Sequence, residues 1–179
     1  MVSSRELFKQ GYNASNNKQY DSAEEYYRKC LKIDPDYSMA WNNLGWILHD
    51  QNQQFKEAEK CYNLALKADK KNYYAWNNLG ILYYRHKKKY KQAERYWNKA
   101  VKLYPDFKMA WQNLGVLFKF QFGNPKKSDA CYQRVAELDK KSKKDSKSIS
   151  EINYHKCKEC GNPIEENQLI CEKCGLSVD

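Results

Sequence analysis

With 179 residues and a formal net charge of +10, the chain has room for one elongated domain and one small module. No apolar run is long enough to span a bilayer, and no charged-then-apolar leader opens the chain. Seven cysteines suit a reducing compartment, so a cytoplasmic protein is expected. The charge is uneven: residues 1–139 carry 24 Lys/Arg against 15 Asp/Glu, residues 140–150 carry 5 against 1, and residues 151–179 carry 3 against 6.

The first predicted helix opens at Ser3, whose spacing to Glu6 is that of a capping box. Leu7, Gly11 and Ala14 share its apolar face, and Tyr20, Ala23, Tyr27 and Cys30 line a second helix that ends before Pro35. The next unit repeats the arrangement. Trp41, Leu44, Gly45 and Leu48 lie on one helical face, Gln51–Gln54 form a polar break, and Phe55, Ala58, Tyr62 and Ala65 line the return helix. A third unit follows with Trp76, Leu79, Gly80 and Tyr83, then Tyr90, Ala93, Trp97 and Ala100. The fourth has Trp111, Leu114, Gly115 and Phe118, then Ser128, Tyr132 and Val135, with Asn124-Pro125 as cap and first-turn proline.

The units are copies of one another. Trp-Asn-Asn-Leu-Gly stands at 41–45 and 76–80, and Trp-Gln-Asn-Leu-Gly at 111–115, a spacing of 35 residues both times. Gly11 precedes Gly45 by 34 residues, so the first unit is expected to have one residue fewer in the turn between its helices. A fixed period of this kind marks stacked supersecondary units. A glycine inside each first helix costs about 1 kcal/mol against alanine. Its recurrence implies that the partner helix crosses too closely there for a side chain.

This pattern of Trp, Leu-Gly, Tyr, Ala, Tyr, Ala and Pro resembles the tetratricopeptide repeat over about three quarters of the chain. The resemblance implies an all-α, right-handed superhelix of four helix-turn-helix units, at about 4–37, 38–72, 73–107 and 108–139. Departures are mild: Leu7 for Trp, Gln10 for the leucine before glycine, Ser128 and Val135 for alanines, Lys70 for the joint proline. Cys30, Cys61 and Cys131 fall on second helices, where a free thiol acts as a small buried hydrophobe.

Residues 140–150, rich in Lys and Ser, read as a basic flexible linker or a helix extension. Beyond them, residues 151–179 hold Cys157-x-x-Cys160-Gly and Cys171-x-x-Cys174-Gly. Four thiolates in two such pairs fit the tetrahedral preference of zinc and resemble a minimal zinc ribbon. With four sulfurs the site is closed, so one structural zinc is expected. A segment this short has little core of its own and depends on the metal to fold. The joining of a repeat stack to a short terminal ribbon looks like archaeal proteins.

In this family the first helices line a concave groove. Counting from each glycine gives three rows of groove positions. Six residues before it stand Arg5, Met39, Tyr74 and Met109; two before it, Lys9, Asn43, Asn78 and Asn113; one after it, Tyr12, Trp46, Ile81 and Val116. The asparagine row is suited to an extended peptide backbone, and the last row to apolar side chains. Phe8 and Tyr12 stand where related domains that clamp acidic C-termini keep polar or basic residues, so a more apolar protein segment is expected as partner.

Two other readings compete with a protein-binding scaffold. Lys56, Lys87, Lys88, Lys89, Lys91, Lys126 and Lys127 fall near the turns and would form a basic edge for RNA. Alternatively, stacked ends would make a self-assembling structural protein. Nothing favours an enzyme. His49, His86 and His155 are scattered, and His49 and His86 are expected as polar helix ends.

Overall fold

The structure, a computed structural model, describes residues 2–150, 155–156 and 163–164. The chain divides into two compact units, Met1–Val135 and Ala136–Asp179. The first holds four antiparallel helix pairs: α1 (Ser4–Asn16) with α2 (Tyr20–Ile33), α3 (Ser38–Asp50) with α4 (Phe55–Ala68), α5 (Tyr73–Arg85) with α6 (Tyr90–Leu103), and α7 (Lys108–Phe120) with the start of α8 (Pro125–Ser150). In the second, α8 runs on through residues 140–150, the basic stretch marked by the sequence as linker or helix extension. There, β1 (His155–Lys156) pairs antiparallel with β2 (Pro163–Ile164), His155 opposite Ile164. No helix among the described residues is long and apolar enough to cross a membrane.

Local chemistry sets the helix ends. Ser3 Oγ accepts from the Glu6 N–H at 3.2 Å, and Asn124 Oδ1 accepts from the Lys127 N–H at 3.0 Å. The turn inside the first unit has three residues, 17–19, and the later ones four, 51–54, 86–89 and 121–124, as the glycine spacing implied. Each turn holds one residue in the left-handed region: Lys18, Gln53, Lys88 and Gly123, with φ of 61°, 54°, 54° and 55°. Only the last is the glycine that such a turn favours.

The glycines sit where the helices cross. A methyl group at Gly11 or Gly45 would come within 2.8 Å of the Tyr27 or Tyr62 ring; at Gly80 it would lie 2.3 Å from the Trp97 indole, and at Gly115 2.9 Å from the Tyr132 ring. Beneath them lie two core clusters, one with Ala23, Tyr27, Leu44, Ala58, Tyr62 and Leu79, the other with Ala93, Trp97 and Leu114, all at most 2 % exposed, and half-buried Trp76 and Tyr83 pack against both.

The repeated tryptophans behave differently from the sequence expectation. Trp41, Trp76 and Trp111, read as members of the core face, are only half-buried. Each indole N–H donates to the carbonyl six residues earlier: Pro35 at 2.7 Å, Lys70 at 3.0 Å and Pro105 at 2.8 Å. They brace the joints between units. The acceptor is backbone, which is why Lys70 serves in place of a proline.

Candidate functional site: the first-helix groove

α3 packs on α5 and α5 on α7, so successive first helices touch one another. The second helices meet the next unit through its first helix: α2 on α3, α4 on α5, α6 on α7. This crowding makes the first helices the inner, shorter layer of the stack and places the predicted rows along it.

Six residues before each glycine, Arg5, Met39, Tyr74 and Met109 are all exposed, the last three at 36 %, 37 % and 50 %. This is the open face of the layer. Tyr12 is 51 % exposed, whereas its row-mates Trp46, Ile81 and Val116 are half-buried. Trp46, expected as a groove residue, packs edge-on against Tyr20 of α2 at 5.9 Å and against the core. Its large ring bridges two helices, so it is structural as well as half-exposed.

The asparagine row is tied up between units. Asn113 Nδ2 donates to Asn77 Oδ1 at 3.0 Å, Asn77 to Asn78 at 3.3 Å, Asn78 to Asn42 at 3.0 Å, Asn42 to Asn43 at 3.1 Å, and Asn43 to the Tyr27 hydroxyl at 3.2 Å. Asn42 and Asn77, absent from the predicted rows, are the buried links of this relay at 4 % and 1 % exposure. The doubled asparagine of Trp-Asn-Asn-Leu-Gly was the available signal. Gln112 replaces it in the fourth unit and is exposed. Burial pushes the Tyr27 phenol up to about 12, so it stays neutral at the relay's end, although the Asn43 N–H works the other way. Half-buried Asn43, Asn78 and Asn113 each retain a second amide hydrogen.

At the α1 end, Phe8 stacks on Tyr37 at 4.9 Å and on Tyr12 at 6.5 Å, with exposed Arg5 and Lys9 on the same helix. In the second unit His49, expected as a polar helix end, is 7 % exposed. Its ring meets Phe55, Tyr62 and His86, and His86 stacks on Phe55 at 3.7 Å. Burial, then the neighbouring His86, pulls its imidazole down to about 4. His49 is therefore a neutral part of the joint between the second and third units.

The lysine edge is partly engaged. Lys87 Nζ lies 2.6 Å from Glu59 Oε2 and 4.5 Å from the Tyr83 ring centre, and Lys127 lies 5.1 Å from the Phe118 ring centre. Lys56, Lys88, Lys89, Lys91 and Lys126 are exposed. The four ribbon cysteines, Cys157, Cys160, Cys171 and Cys174, lie outside the described residues.

Three family models, each described as tetratricopeptide repeat, match residues 26–60, residues 7–37 and 110–142, and residues 49–105. No curated protein matches the sequence. Among solved structures, the chain is similar to MamA, with a TM-score of 0.67 at 19 % identity, covering 79 % of this chain and 81 % of that one. It is also similar to PilF of Pseudomonas aeruginosa, with a TM-score of 0.69 at 24 % identity, covering 76 % and 61 %. The TPR domain of Arabidopsis OM64 gives 0.61 at 25 % identity, covering 65 % of this chain and 95 % of that domain.

Proposed function

As the chain belongs to the tetratricopeptide repeat family, we propose that it is a non-enzymatic scaffold holding a largely apolar protein segment along its first-helix groove. The observation that carries this is the row Met39, Tyr74 and Met109, one large exposed apolar residue in each of the last three units along one layer. Large apolar side chains in register on an outer face cost solubility and are a mark of a contact surface. The spare amide hydrogens of Asn43, Asn78 and Asn113 lie in the neighbouring row, suited to the segment's carbonyls. Tyr12, Trp46, Ile81 and Val116 complete the surface on the other side.

A random-peptide display selection on the purified chain tests the reading. Enrichment of apolar sequences is expected, and Met39→Glu with Met109→Glu should abolish it, while Lys88→Glu with Lys89→Glu should leave it intact. Binding lost with the lysines and kept with the methionines would move the function to the basic edge and favour a polyanion such as RNA.

A structural zinc held by Cys157, Cys160, Cys171 and Cys174, forming a second contact module, is the other part of the proposal. Their spacing supports it, together with the β1–β2 pairing, which brings together the two ends of the segment carrying Cys157 and Cys160. Elemental analysis of the full chain should return about one zinc per molecule, lost in Cys160→Ser with Cys171→Ser. The helical circular dichroism should survive chelation, because the repeats have their own core. A metal-free chain, or helices that melt on chelation, would overturn this part.

A further inference from the structure

The groove is not uniform along its length. In the row six before each glycine, the first unit has Arg5 where the others have Met39, Tyr74 and Met109. In the row two before, it has Lys9 where the others have Asn43, Asn78 and Asn113. Both cations are exposed, one helical turn apart on α1. Among the described residues neither forms an ion pair, whereas pairs such as Glu24–Arg28, Glu25–Lys29, Glu59–Lys87 and Asp106–Arg134 are made elsewhere. Of the nearby acids, Asp34 accepts from the Asp36 N–H at 3.1 Å and also acts electrostatically on Tyr37. Arg5 is near enough to act electrostatically on Tyr37, whose phenol is raised chiefly by burial. Two cations thus stand beside the Tyr12–Phe8–Tyr37 ring stack, at one end of an otherwise uncharged row.

We infer that the groove's partner is a polypeptide segment of asymmetric chemistry, with an Asp- or Glu-bearing end over α1, held by Arg5 and Lys9, and a bulky apolar run over α3, α5 and α7. The inference rests on the groove reading above and adds the ligand's composition and direction. Packed helices lie about 8–10 Å apart, so three steps from α1 to α7 cover roughly 27 Å. An extended chain covers that with about nine residues. The apolar run supplies most of the contact. The acidic end contributes orientation and encounter rate, as charges at an exposed rim do. A segment laid in the reverse sense would put its carboxylate on Met109 and leave Arg5 and Lys9 facing apolar side chains.

The display selection is repeated on Arg5→Glu with Lys9→Glu in the full chain, both exposed positions whose change leaves the core intact. On the unaltered protein, enriched peptides should carry Asp or Glu at one end of an apolar run. On the variant, the acidic residues should disappear or give way to Lys and Arg while the apolar run persists. A labelled peptide from the first selection should bind the variant at least fivefold more weakly. Apolar peptides without acidic bias, or an acidic bias unchanged by the variant, overturn this inference and leave the groove reading standing. No enrichment on either protein overturns both.

Discussion

Trp97→Ala should destabilise the protein by about 3–5 kcal/mol, the cost of truncating a large aromatic in a closed core. Trp97 is 2 % exposed, rests under Gly80, packs on Tyr84 at 5.7 Å, and donates its indole N–H to the Asn77 carbonyl at 3.1 Å. Removing it leaves a void between α5 and α6 that the surrounding alanines cannot fill. The half-buried Trp41 braces a joint from its outer side, so Trp41→Ala should cost about 1–2 kcal/mol. Urea unfolding midpoints of the two variants decide the order. Because each unit contacts only its neighbours, loss of Trp97 should also appear in hydrogen exchange first in α5 and α6. An equal or larger loss for Trp41→Ala would mean that the joints, not the glycine crossings, set the stability of the stack.

Gly80→Ala is expected to destabilise although alanine is the better helix former. The helical gain is about 1 kcal/mol. Against it, the new methyl would sit 2.3 Å from Trp97 Nε1 and 2.6 Å from Cδ1. Trp97 is buried and bonded to Asn77, so it cannot retreat without opening α6. Overpacking of this kind costs about 1–3 kcal/mol and more where the neighbour is rigid, giving an expected net loss of about 2 kcal/mol. Gly115→Ala is the internal control. Its methyl would meet the Tyr132 ring at 2.9 Å, but that ring is 37 % exposed and free to swing outward. Its net effect should be within about 0.5 kcal/mol of zero. Thermal unfolding of both variants tests the pair, and equal melting temperatures would show that Trp97 yields as easily as Tyr132.

Helix count, the short first turn and the glycine crossings were all readable from residue order. Each depends on the three- and four-residue steps of one helix, or on a period that repeats the same local packing. The open row of Met39, Tyr74 and Met109 followed in the same way, since its register is fixed by the glycine beneath it. Relations between units were not readable. An asparagine amide both donates and accepts, so spacing does not say whether Asn43, Asn78 and Asn113 face a ligand or their neighbours. The stack gives one amide hydrogen of each to a neighbour, as where Asn78 donates to Asn42 and Asn113 to Asn77, both at 3.0 Å, and leaves the second.

The burial of His49 and the packing of Trp46 were hidden for the same reason. His49 ends a helix, yet Phe55 and His86, the latter 37 positions later in the chain, close over it. Trp46 lies one residue past a core glycine, yet Tyr20 from the preceding unit reaches across to it. By itself the sequence determined how each unit folds, because helix periodicity and capping act over a few residues. Which side chains of the first-helix layer stay exposed was decided only by the tertiary structure, because that depends on the side chain the next unit brings beside each one.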